Sequence, residues 1–315
     1  MTLTGFVLLY IVATIAIGVI AATRVKNTSD FALAGRSLPL PMVITATFAT
    51  WFGSETILGL PGRFIESGIA GVIEEPFGSG MALILVGTFF AHKLYKQNIL
   101  TLGDYYRDRY GRSVELLCSV AIVISYLGWV GAQVTALGLV INLITEGAVS
   151  MTTGMVIGAA VVLAYTMVGG MWSVAMTDFV QMIVIVVGLV AILWFATDLA
   201  GGMDKVVDYA RGRDLFHAFP EPTTTGWLFW ISAAMTMMIG SIPQQDVFQR
   251  VMSAKNLPTA VAGPILGGSF YILFAFVPMF IVVAAILVMP DAAEKMLSED
   301  PQQLLPTLVR DYMPM

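Results

Sequence analysis

The sequence predicts an all-α polytopic membrane protein, and three observations carry that prediction. First, 57% of its 315 residues are apolar and only 12% charged, with a mean hydropathy of +0.84. A soluble globular chain carries about 25% charged residues, so this chain has too little charge to coat a water-facing surface. Second, the apolar residues come in blocks long enough to cross a bilayer as helices, which takes about 20 residues. Third, none of the 16 Lys and Arg falls inside such a block. The composition argues against a secreted domain, a soluble enzyme and a disordered chain. A net charge of −5 with no long basic run argues against nucleic acid as a partner. The single Cys118 cannot close an internal disulfide, and two histidines are too few for a His/Cys metal centre.

Eight segments are long and apolar enough to span: 3–23, 40–60, 69–91, 114–143, 153–170, 173–197, 226–243 and 259–289. The first is read as a span rather than a signal peptide, because no basic residue precedes it and Arg24 and Lys26 follow it. The second carries Gly53 among small and polar residues at mid-span. The fourth and eighth are long enough to tilt. Residues 198–225 form the longest polar stretch, an external loop with room for a short amphipathic helix, and 290–315 is a polar tail. With the N-terminus outside, inner loops hold ten Lys and Arg, including Arg24, Lys26, Arg107, Arg109 and Arg250, against six in outer segments. Cytoplasmic loops collect these residues, so the N-terminus is placed outside.

Apart from Glu115 at the very edge of the fourth segment, four of the 21 acids remain within apolar spans: Glu55, Glu74, Glu75 and Asp178. An ionisable group at this depth is costly and marks a functional site by default. With no base in the spans, three solutions are open: protonation, a water-filled cavity or a bound cation. Glu74 sits near a helix end, where solvation suffices. The backbone is interrupted at two places. Phe52-Gly53-Ser54-Glu55 falls mid-span in the second segment, and Gly240-Ser241-Ile242-Pro243-Gln244-Gln245 falls in the seventh. Breaks at corresponding positions of two halves are the pattern of inverted-repeat carriers, whose unwound carbonyls bind a hard cation. Trp129 and Gln133, at i and i+4, share a helix face with Tyr126. That face could line a cavity, or be a packing aromatic beside an amide bonded to a neighbouring helix; both readings stand. Gly128 and Gly131 read as sites of close helix approach. No nucleophile–base pair, phosphate loop or cofactor motif is present, so no enzyme and no catalytic residue is expected.

Three stretches resemble the sodium/solute symporter family: Phe31-Ala32-Leu33-Ala34-Gly35-Arg36-Ser37-Leu38-Pro39, then Thr101-Leu102-Gly103-Asp104-Tyr105-Tyr106, then Gly169-Gly170-Met171-Trp172-Ser173-Val174-Ala175-Met176-Thr177-Asp178 continuing to Gln181. The resemblance covers essentially the whole chain. It implies a leucine-transporter-like inverted-repeat fold within a single transmembrane domain, 1–315. Residues 1–23 would be an extra N-terminal helix, 40–197 the first five-helix repeat and 226–315 the start of the second. It implies Na⁺ at the carbonyls of Ala49 and Phe52, with Asp178 beside the ion. The solute would lie against Trp51, Glu55, Trp129, Gln133 and Gln244. Glycines 169 and 170, Thr177 and Gln181 would shape the helix rather than bind. Proline-transporting members carry an aspartate where this chain has Trp51, and some sugar-transporting members share an acid at Glu55. The stretch from Gly240 to Val251 is similar to the family's choline-transporting branch, although Gln244 replaces an aromatic there.

The resemblance therefore implies Na⁺-coupled symport of a small organic solute, with a lean to a cationic or zwitterionic one, in a plasma (inner) membrane. Na⁺ would be a coupling ion and no cofactor is expected. The family completes its ion site with a Ser/Thr-rich helix later in the second repeat, so a chain stopping at Met315 reads as a C-terminally truncated piece. Proton coupling through Glu55, Glu75 or Asp178, and a transporter-like sensor module, are the alternatives.

Overall fold

A bilayer offers no water to backbone amides, so spanning segments must satisfy them internally. The computed structural model accordingly shows a helical chain. It describes residues 3–313, with side chains from residue 5; Met1, Thr2, Pro314 and Met315, inside the boundaries drawn from sequence, lie outside the described residues. Among the described residues extended pairing is confined to one bridge, Leu38 with Ala254. Among the described residues five helices are long and apolar enough to cross a membrane: Gly5–Ala22, Ile69–Gln97, Arg112–Ile144, Met151–Leu199 and Leu257–Val288. A sixth arises if Thr224–Gly240 and Gln245–Met252 are one broken span.

That number differs from the eight segments expected, for identifiable reasons. Leu40–Trp51 stops after 12 residues at a break, short of a crossing length. Segments 153–170 and 173–197 fall in one helical trace, Met151–Leu199, interrupted where Gly170 takes φ 49° and ψ −140°. Only glycine enters that region readily.

Local chemistry starts and stops the helices. Asn27 caps Thr28–Leu33 by accepting from the Asp30 amide at 2.9 Å. Thr223 caps Thr224–Gly240 by accepting from Gly226 at 3.0 Å. Gly111, at φ 89°, separates Leu102–Tyr110 from Arg112–Ile144. In the Ile69–Gln97 span the backbone leaves helical geometry at Glu75 (φ −141°, ψ 123°).

Leu102–Tyr110 opens with a reciprocal cap. Thr101 Oγ1 accepts from the Asp104 amide at 3.1 Å, and the Asp104 carboxylate accepts from the Thr101 amide at 2.9 Å. Burial would raise the Asp104 carboxyl, but bonds from the Thr101 amide and hydroxyl and the Arg107 guanidinium outweigh it and hold it below its ordinary value. A depressed carboxylate stabilises the fold fully above its unfolded value, and the contribution fades as pH falls through the lowered one. Asp104→Ala is expected to cost about 1 kcal/mol in thermal melts at neutral pH. The gap from wild type should narrow on acidification below the usual carboxylate range. A gap that stays constant with pH would remove the cap from the account.

The chain divides into two compact units. One comprises Met1–Thr50, Leu83–Met182 and Ile242–Gly267; the other comprises Trp51–Ala82, Ile183–Ser241 and Gly268–Met315. In the first, Leu33, Leu102, Phe248 and Met252 form a buried cluster joined by Tyr95 and Tyr106. Helices meet closely at Gly138, where an added Cβ would lie 2.7 Å from the Met151 carbonyl. Gly128 and Gly131, expected to serve close approach, have open space beyond them. Leu116, Leu117 and Leu127 are exposed by 66%, 71% and 68%, the surface a lipid-facing helix presents. In the second unit, Met279, Ile281, Val283, Ala284 and Ala285 are fully buried. Ile73–Gly78 packs on Thr224–Gly240, with Gly78 against the Ala234 carbonyl.

Candidate functional site

The first break develops from sequence as expected. After Leu40–Trp51 the chain leaves helical geometry at Phe52 and Gly53, then resumes as a π-helical turn over Glu55–Gly59. The Gly53 amide donates to the Trp51 carbonyl at 2.8 Å. A continuing helix would instead use that amide for a bond to Ala49, four residues back. The turn therefore takes up the Trp51 carbonyl, between the two residues whose carbonyls the family resemblance assigns to an ion. Trp51 is 8% exposed, and its indole N–H is buried without a hydrogen-bond partner among the described residues. Phe52 is buried, its ring edge-on to Tyr271 and tilted against Phe274.

Glu55 is less isolated than the sequence implied. It is exposed and accepts from Arg63 Nη2 at 2.5 Å, while Glu74 lies 4.0 Å from the same guanidinium. Sequence reasoning placed Arg63 in an outer segment. The helix Leu60–Ser67, following directly on the π turn, brings it back over the two acids. Glu75, by contrast, is buried. Its Oε1 accepts from Tyr271 at 2.5 Å and from Thr56 at 3.2 Å. Neither Thr56 nor Tyr271 was singled out from sequence. A lone tyrosine in the apolar block 259–289 was the available signal.

Ala49, Asp178, Trp129, Gln133 and Gln244 belong to the other unit. Ala49 is half-buried near the end of its helix. Asp178 is half-buried on the helical trace Met151–Leu199. Near it in the chain, Ser173 Oγ donates to the Gly18 carbonyl at 2.5 Å, Thr177 Oγ1 to the Ser173 carbonyl at 2.9 Å, and Arg24 lies over the Trp172 ring at 4.7 Å.

On Arg112–Ile144, Tyr126 donates to Asp246 Oδ1 at 2.6 Å and accepts from the Asp246 amide at 3.1 Å, so it anchors the helix Gln245–Ser253. Trp129 is 42% exposed and Gln133 half-buried. Gln244 occupies the N-cap position of Gln245–Ser253, and its carbonyl accepts from Phe248 at 3.1 Å. Its neighbour Gln245 accepts from the Leu102 amide at 2.9 Å. Among the described residues no group of three or more His, Cys, Asp or Glu could hold a metal ion. An ion at the first break would be held by carbonyl and hydroxyl oxygens, which suits a monovalent hard cation.

Apolar helices of spanning length, in an all-α arrangement interrupted by helix breaks, define a multi-pass membrane protein. The fold matches a solved structure of a Na⁺-coupled sialic acid symporter in its substrate-bound outward-open state, with a TM-score of 0.81 at 19% identity over 97% of this chain and 64% of that one. Residues 31–315 match the model of the sodium:solute symporter family, and the chain belongs to that family. The family is one of transporters and not of enzymes. Relatives include a high-affinity choline transporter of Drosophila melanogaster, 28% identical over 87% of this chain and 44% of that protein. Another is the high affinity choline transporter of Homo sapiens, 29% identical over 79% and 44%. A third is sodium/glucose cotransporter 4 of Danio rerio, 28% identical over 88% and 45%. The chain thus spans less than half the length of these curated relatives.

Proposed function

We propose that the protein containing this chain couples Na⁺ entry to uptake of a small organic solute. The observation that carries the reading is the turn at Gly53, which ends a largely buried helix beside the residues that the family resemblance assigns to the ion. In this reading Na⁺ takes the carbonyls of Ala49 and Phe52, and Asp178 shapes the local field. The solute contacts Trp51, Glu55, Trp129, Gln133 and Gln244. The Glu55–Arg63 pair makes that acid charge-balanced, and Trp129 is the most exposed aromatic of the set. The names of the relatives, choline transporters among them, support a cationic or zwitterionic solute.

The reading also takes 1–315 as a single transmembrane domain, with 1–23 as an added helix, 40–197 as the first inverted repeat and 226–315 as the start of the second. The N-terminus is outside the plasma membrane. Ion and solute would each favour the other because both order the same broken helix. The membrane potential adds about 2.3 kcal/mol per charge per 100 mV.

The test is uptake of choline and related solutes into proteoliposomes holding the full protein, with an imposed Na⁺ gradient. Na⁺-driven accumulation of at least about tenfold, equivalent to roughly 1.4 kcal/mol, is expected, with Asp178→Asn lowering the Na⁺ dependence. Accumulation indifferent to the Na⁺ gradient would overturn the coupling, and acidification in its place would assign it to protons.

A further inference from the structure

We propose that Glu75, Thr56 and Tyr271 form a proton-binding site inside the membrane-spanning region, with Glu75 as the group that carries the proton. The use of that proton in a transport cycle rests on the reading above; its binding does not. All three residues belong to one compact unit. Glu75 is 7% exposed, and Thr56 and Tyr271 are fully buried.

Counting protons makes the case. Four pairs of oxygens lie close together: Glu75 Oε1 with the Tyr271 hydroxyl at 2.5 Å, Glu75 Oε1 with Thr56 Oγ1 at 3.2 Å, Thr56 Oγ1 with the Tyr271 hydroxyl at 3.1 Å, and Thr56 Oγ1 with the Trp51 carbonyl at 3.1 Å. The two hydroxyls supply only two protons. With Glu75 ionised, Tyr271 donates to it. Thr56 must then choose between the carboxylate, the phenol and the Trp51 carbonyl.

A third proton on Glu75 resolves the choice. Glu75 donates to Tyr271, Tyr271 to Thr56, and Thr56 to the Trp51 carbonyl, which covers the three shorter contacts in one direction. The proton comes from hydronium, leaving water, and forms one O–H bond on Oε1. A metal ion fits poorly here, because these oxygens already touch at hydrogen-bond spacing with no centre left for a cation between them.

The electrostatic surroundings agree. Glu55 and Arg63 are the charged groups that act on Glu75 from the adjoining turn and helix, and Tyr271 is the titratable group on the facing helix. Arg63 is already engaged by Glu55 at 2.5 Å and approached by Glu74 at 4.0 Å. One base thus stands against three acids. The helix Thr224–Gly240, packed on this segment, contributes no titratable side chain. A buried carboxylate whose nearest base is engaged by other acids is expensive, and a neutral acid in a hydrogen-bond chain is not.

The experiment is an infrared difference spectrum of the full protein in lipid between alkaline and acid pH, without Na⁺ gradient or solute. Wild type is expected to gain the C=O stretch of a buried carboxylic acid. Glu75→Gln should remove that signal, and Tyr271→Phe should retain it at a shifted frequency. A signal unchanged in E75Q overturns the proposal. Should E75Q fail to fold, a carboxylic-acid signal indifferent to Tyr271→Phe overturns it equally. Because no transport is measured, failure of Na⁺-driven uptake leaves this result standing, and the reverse also holds.

Discussion

Gly170→Ala is expected to destabilise the protein by about 3 kcal/mol or more. Two costs combine. The backbone at Gly170 sits at φ 49° and ψ −140°, where a residue with a side chain is strained by about 1–3 kcal/mol. A Cβ built there would also overlap the Phe31 carbonyl oxygen and lie 2.7 Å from its ring. Neither neighbour yields easily, because the Phe31 amide is bonded to the Asn27 carbonyl at 3.0 Å and Phe31 lies within a capped helix. Gly188 in the same helical trace is the control: nothing lies within 4 Å of its would-be Cβ, and its φ is not positive. Gly188→Ala should be neutral or stabilise by up to about 1 kcal/mol. Thermal unfolding in detergent compares the two, and equal melting temperatures would refute the backbone argument.

Arg36→Ala is expected to cost about 2–3 kcal/mol. Its guanidinium donates from Nη2 to the Tyr95 carbonyl at 2.6 Å, donates from Nη1 to Asn98 Oδ1, and stacks 4.1 Å from the Tyr95 ring centroid. Tyr95 in turn donates its hydroxyl to the Ala254 carbonyl at 2.9 Å. The Leu38 amide bonds to the Ser253 carbonyl and the Lys255 amide to the Leu38 carbonyl, both at 3.0 Å. One side chain therefore ties residues 34–38, 95–98 and 253–255 within one unit. Hydrogen bonds to a charged group are worth about 1.5–3 kcal/mol, and a cation–π contact about 0.5–1. Arg36→Lys keeps the charge but loses the planar fork, so it should recover less than half of the loss. Melting temperature and protease sensitivity read both variants. An Arg36→Ala change within about 0.5 kcal/mol of wild type would show the network to be redundant.

The interruption at Gly53 was legible because a small, polar run stands out inside an apolar block, although such a run can also merely kink a membrane helix. The family was legible from three contiguous motifs. The pairing of Glu55 and Glu74 with Arg63 was not, because Arg63 lies beyond the apolar block and only the turn into Leu60–Ser67 folds it back. The Glu75–Tyr271 bond joins residues 196 apart in the chain, a distance no local pattern spans. Tyr126 was read with Trp129 and Gln133 as one face, yet it alone turns to Asp246. Periodicity says which residues share a side of a helix and not what stands opposite.

By itself, then, the sequence determined that this chain lives in a membrane, that it belongs among sodium:solute symporters, and that it breaks at Gly53. Those properties depend on composition and on neighbours within a few residues, which a sequence displays directly. Only the tertiary structure decided which of these acids pair with a base and which is buried against hydroxyls. In a low-dielectric interior the state of a carboxylate is set by the few atoms that touch it. Helices distant in sequence supply those atoms.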